Sequence, residues 1–149
     1  YVVAGAYDAF VAALRSALAD VTPSTDPARG IGPVFGPGQI EVVEAQVAAA
    51  LGAGATLLAG GRRVGELGYE PTVLLDVDHS MSVMRDETFG PVLAVMRVAD
   101  ESEAVARAND SPYGLQASVW TGNAAAGRRV AARGIQKRQY CSRWRVFGV

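Results

Sequence analysis

A chain of 149 residues, half of them apolar, can bury a sizeable core, which excludes disorder over its whole length and fits one domain or a piece of a larger one. No window approaches the roughly 18 uninterrupted apolar residues of a membrane span, and the first twenty residues lack the basic head and apolar run of a signal peptide. The net charge of −1 hides a split: residues 128–149 hold seven of the fourteen basic residues and none of the fifteen acids.

Such a split reads either as a nucleic-acid-binding arm or as a segment of different design from the rest. A single cysteine, Cys141, excludes an internal disulfide and suits a reducing cytoplasm. The first residue is Tyr1 rather than Met, which points to sequence missing upstream.

In chain order, Val2 and Val3 read as the end of a strand. Residues 7–19 are helical by pattern, with Phe10, Leu14 and Leu18 spaced by four on the expected inner face. Residues 21–38 (VTPSTDPARGIGPVFGPG) are a Pro/Gly-rich connector expected to hold no regular element. A second helix is expected over 38–51, with Ile40, Val43, Val47 and Leu51 inward and Gly52 and Gly54 as its stop. A short buried strand at 55–59, a polar loop at 60–68 and a strand at 71–77 (PTVLLDV) follow.

Residues 84–98 (MRDETFGPVLAVMRV) concentrate charge, ring, turn and strand signals. Arg85, Asp86 and Glu87 stand together, Thr88 and Phe89 follow, Gly90-Pro91 marks a turn, and an apolar run of strand length leads to Asp100. Asp100 with Glu103 fits a capping box for a helix over 101–109. Residues 109–114 form a turn, 117–121 (ASVWT) a strand, and Asn123 caps a last helix through Arg133. Strands alternating with helices of about ten residues indicate an α/β architecture with a mainly parallel sheet.

Several chemistries drop out. The chain has no GxGxxG, no P-loop and no GxSxG. His79 is the only histidine, so a His-based metal site lacks partners, and it reads as a surface or capping residue. Cys141 is flanked by arginines, with no neighbouring base to activate it. Glu87 and Phe89 stay open between two readings. One makes Glu87 an ion-pair partner of Arg85 and Phe89 a core plug. The other makes them a ligand clamp, the carboxylate accepting from paired hydroxyls and the ring packing on a flat heterocycle.

DETFGPVLAVMRV followed by ANDSPYGLQASVWT (108–121) resembles the C-terminal half of an NAD(P)-dependent aldehyde dehydrogenase. Upstream, YDAFVAALRSAL, GIGPVFGPGQIEVVEAQV, GATLLAGG and GYEPTVLLDVDHSMSVMRDETFGPV occur in that family's order and spacing, so the resemblance covers about residues 1–133. It implies part of a catalytic domain truncated at both ends, an oxidoreductase turning an aldehyde into a carboxylic acid with NAD or NADP as hydride acceptor. It also implies that Glu87 binds the ribose hydroxyls beside the nicotinamide and that Phe89 packs near the nicotinamide ring. Tyr113, Gly114, Leu115 and Trp120 match too, and read as packing and turn residues.

The same resemblance places the family's nucleophilic cysteine and general-base glutamate upstream of Tyr1. No catalytic residue is therefore expected within the chain, and activity would need the missing N-terminal half, in a homo-oligomer by family. Residues 134–149 (GIQKRQYCSRWRVFGV) depart from the family and read as a basic tail from a shifted reading frame. The alternative is a non-catalytic remnant, or a small interaction or nucleic-acid-binding protein acting through that tail, where Tyr140 and Trp144 lie among basic residues without a recognisable module.

Overall fold

A computed structural model describes residues 1–24, 30–114, 117–133 and 144–147. It divides into two compact units, residues 2–97 and residues 98–149 together with Tyr1.

The first unit is built on three strands. β1 (Val2–Val3) leads directly into α1 (Ala4–Leu18), and the Val2 N–H donates to the Met96 carbonyl at 2.9 Å. The inner face of α1 is Tyr7, Val11, Leu14 and Leu18, which pack with Val73, Leu75 and Val95. Phe10, expected on that face, is instead 40% exposed. At 100° per residue a strict spacing of four drifts by about 40° each step, whereas 7-11-14-18 holds one line.

The connector is less irregular than its composition predicts. β2 (Thr22–Pro23) and β3 (Gly30–Ile31) pair in parallel within it. α2 (Pro37–Gly52) starts with Pro at its first position and ends in a Schellman arrangement. There the Ala55 N–H reaches the Ala50 carbonyl, the Gly54 N–H reaches Leu51, and Gly54 takes a φ of 104°. Ile40, Val43 and Val47 are buried as expected; Leu51 is exposed, and Gln46 and Ala50 take the inner positions.

β4 (Thr56–Ala59), β7 (Thr72–Leu75) and β8 (Val92–Val95) form a sheet in the order β4-β7-β8. β7 runs parallel to β8 and antiparallel to β4. All four residues of β7 are buried, as a central strand covered on both faces must be. β4 was expected to be buried, but it lies at the edge, where Thr56 and Leu57 face solvent. Between β4 and β7, in the span expected to be loop, β5 (Arg63–Val64) and β6 (Gly68–Tyr69) make a small antiparallel hairpin.

The crossover from β7 to β8 carries the short helix α3 (Ser82–Arg85), packed on α2, and then residues 86–91. His79, read as a surface or capping residue, is not at the surface: it is buried in this crossover at 7% exposure. A short β9 (Arg97–Val98) follows β8.

In the second unit, α4 (Glu101–Asn109) is capped as its sequence predicts: the Asp100 carboxylate accepts the Glu103 N–H at 2.9 Å. The returning Glu103 carboxylate accepts from Ala99 at 2.8 Å, one residue before the cap. β10 (Ala117–Trp120) precedes α5 (Ala124–Arg133), where Asn123 Oδ1 accepts from Ala125 and Ala126. Trp120 and Tyr113, read as packing residues, are 67% and 46% exposed; Leu115 lies outside the described residues. β11 (Trp144–Phe147), within the basic tail, pairs in parallel with β10. Cys141 and the rest of the tail lie outside the described residues.

Candidate functional site

Residues 86–91 close the crossover between the two parallel strands and lie at their amino ends, just before Val92 of β8 and beside Thr72 of β7. The far end of the loop is pinned by the sheet: the Thr72 N–H donates to the Pro91 carbonyl at 2.8 Å, and Val92 N–H to Gly90 at 2.8 Å. The near end is pinned by α3, whose Ser82 carbonyl accepts the Asp86 N–H at 2.7 Å.

The middle is held from α2. Gln39 Nε2 donates to the Thr88 carbonyl at 2.6 Å, and Gln46 Nε2 to the Glu87 carbonyl at 3.4 Å. Val43, between them on the same face, sits beneath Gly90. A Cβ at Gly90 would run into Val43 Cγ2, so only glycine lets the loop approach this closely.

Glu87 and Phe89 therefore project from a loop whose backbone is tied down on one side. Glu87 is exposed, and among the described residues its carboxylate enters no ion pair, so the expected pairing with Arg85 does not form. Phe89 is 75% exposed, which overturns the core-plug reading. Its φ of 41° puts it in the left-handed region, disfavoured for a residue with a Cβ. An exposed carboxylate and an exposed ring thus stand two residues apart on this loop.

An exposed carboxylate can accept from paired hydroxyls, and an open aromatic face can lie along a flat ring. Sequence reasoning missed Gln39 and Gln46. Their spacing of seven, which returns a helix to within about 20° of the same face, was the available signal. Among the described residues no cluster of His, Cys, Asp and Glu could hold a metal ion, and no helix is long and apolar enough to cross a membrane.

The profile of the aldehyde dehydrogenase family matches residues 1–136. A protein of Mycobacterium ulcerans, named provisionally as a succinate-semialdehyde dehydrogenase [NADP(+)] 2, is 47% identical over 106 residues, covering 69% of this chain and 20% of its own length.

Among solved structures, the NADP-dependent glyceraldehyde-3-phosphate dehydrogenase of Bacillus halodurans, complexed with NADP, superposes with a TM-score of 0.86 at 32% identity. That match covers 96% of this chain and 29% of the other. The aldehyde dehydrogenase of Mycobacterium tuberculosis complexed with NAD+ gives 0.85 at 34% identity, covering 97% and 30%. The chain thus spans between a fifth and a third of these relatives' length. An interaction protein built around the basic tail is not favoured by these relationships. With its profile matched over 136 of 149 residues and its α/β fold shared with solved members, the chain belongs to the aldehyde dehydrogenase family.

Proposed function

We propose that this chain is the C-terminal part of the catalytic domain of an NAD(P)-dependent aldehyde dehydrogenase, and that it supplies one wall of the nicotinamide site. The observation that carries the reading is the outward pairing of the Glu87 carboxylate and the Phe89 ring on a loop fixed from behind. Glu87 accepts hydrogen bonds from the two ribose hydroxyls, and Phe89 limits how the nicotinamide ring can lie. The nicotinamide, when bound, accepts the hydride released as the aldehyde is oxidised to a carboxylic acid.

The chain's own contribution is to bind and orient. The thiolate that attacks the aldehyde and the base that activates water belong, in this reading, to the portion of the enzyme outside this chain. Partners are then that portion and further copies of the same enzyme, and a cytoplasmic location suits a chain with one cysteine.

Two measurements test the reading. The purified chain, given NAD or NADP and an aldehyde, is expected to form no reduced nicotinamide; turnover would show that the catalytic groups are present after all. Titration of ¹⁵N-labelled chain with NAD or NADP is expected to move the amides of residues 87–90. Glu87→Gln should weaken that response about tenfold, the loss of a charge-assisted hydrogen bond. Shifts only elsewhere, or an unchanged Glu87→Gln titration, would overturn the assignment.

A further inference from the structure

The inner face of α2 contains an anomaly. Ile40, Val43, Val47 and Ala50 are apolar and at most 2% exposed, yet Gln46 shares their face at 8% exposure. Its Nε2 reaches the Glu87 carbonyl at 3.4 Å, while its Oε1 is buried without a hydrogen-bond partner. Turning the amide over would set Oε1 against that carbonyl, two acceptors face to face, so the orientation is dictated. A methionine would bury as much surface without an unmatched acceptor. For stability alone, glutamine is the poorer residue here; what it gains is the contact with the loop.

Gln39, seven residues earlier, makes the stronger contact of the same kind, to Thr88. Between the two glutamines, Val43 meets the loop at Gly90. Three residues on one helix face therefore hold Glu87, Thr88 and Gly90, and the single residue left between them is Phe89 with its left-handed backbone. A strained residue persists where its surroundings over-determine it.

We propose that Gln39 and Gln46 are positioning residues: they fix the Thr88 and Glu87 carbonyls against α2, so that the Glu87 carboxylate and the Phe89 ring stand outward together. The ligand in this proposal rests on the nicotinamide reading; the clamp itself does not. Glutamine suits the task because its long neutral arm donates to a backbone carbonyl without bringing a charge beneath the carboxylate it positions.

The test uses the full chain with Gln39→Met, Gln46→Met and the double substitution. Backbone ¹⁵N relaxation is measured first with no nucleotide present. The double variant is expected to lower the Phe89 order parameter from about 0.85 to below about 0.6. Gln46→Met should keep or raise the denaturant midpoint, which a merely structural role would not do. In the nucleotide titration the double variant should bind about tenfold more weakly, as when only about a tenth of the molecules hold the competent loop.

Gly90→Ala provides an independent route, since its methyl group pushes the loop away from α2 with both glutamines intact. It should loosen residues 87–90 in the same way, and adding Val43→Ala should restore them.

A rigid loop in the double variant overturns the proposal, as does loosening that only tracks a fallen midpoint. Loosening without any nucleotide binding by the unaltered chain sustains the clamp and sinks the nicotinamide reading. Binding at Glu87 and Phe89 that the variants leave untouched sinks the clamp and sustains that reading.

Discussion

The Gln39 carboxamide donates to the Thr88 carbonyl at 2.6 Å, tying the first turn of α2 to a loop 49 positions further along the chain. The bond leaves the Thr88 side chain uncommitted and acts on the peptide itself. It therefore sets the direction in which the residues on either side, Glu87 and Phe89, must point.

Phe89 offers a separation of binding from stability. A left-handed non-glycine residue costs roughly 1–2 kcal/mol, and a glycine gives back about 0.5–1 kcal/mol of that through the greater entropy of the unfolded chain. The ring, 75% exposed, buries little surface. Phe89→Gly is thus expected to leave the denaturant midpoint unchanged or slightly higher while weakening nucleotide binding. A marked fall in the midpoint would show that the ring is part of the core.

Tyr7 is the second case. Its ring lies in the α1 core and faces the Arg97 guanidinium, 5.2 Å from the ring centroid. Its buried hydroxyl makes no hydrogen bond. Burial pushes the hydroxyl above its usual value of 10.0 and the Asp76 carboxylate adds to the rise; the Asp76 backbone, close but short of hydrogen-bond geometry, and Arg97 pull partway back.

A group whose folded value is raised contributes stability that is complete below about pH 10 and is lost as pH climbs toward the folded value. Tyr7→Phe keeps the ring and removes the unmatched hydroxyl. It should raise stability by about 1 kcal/mol near neutral pH and flatten the loss above pH 10. Denaturant titrations at pH 8 and pH 11 on both proteins would check it; an equal alkaline loss in both would clear Tyr7 of responsibility.

A third substitution addresses the second unit. Asp100 accepts the Glu103 N–H at the start of α4. Asp100→Ala should weaken the helix by about 1 kcal/mol, seen as amide exchange in residues 101–109 faster by roughly fivefold. Exchange that stays at its original rate would mean that the Glu103 bond to Ala99 suffices alone.

What could be read from the sequence follows local rules. Both caps, at Asp100 and Asn123, were legible because a capping side chain acts within three residues. The longer helices α1, α2, α4 and α5, the central strand and the glycine stop of α2 were legible through periodicity and turn chemistry, whereas the single turn of α3 was read as a plain link. Errors arose where spacing or composition was taken too literally. Phe10 and Leu51 each lie one step of four too far around their helix. β4 has a core-like sequence, yet burial depends on a place in the sheet order that no local pattern carries. The connector's prolines hid β2 and β3, and the sole histidine was buried against expectation. At the site, Glu87 and Phe89 stood out by chemistry and by family likeness, while their supports did not. A hydrogen bond across 41 or 49 positions leaves no mark in a window of fifteen residues.

The parallel pairing of β7 with β8 carries a kinetic consequence. Parallel neighbours cannot be joined by a tight turn, so residues 76–91 must be wound into their crossover before the four paired positions can meet. The wall that holds Glu87 and Phe89 is that crossover. Its completion and the joining of the two strands are one step in the assembly of this unit, and shortening the segment would forfeit the sheet together with the site.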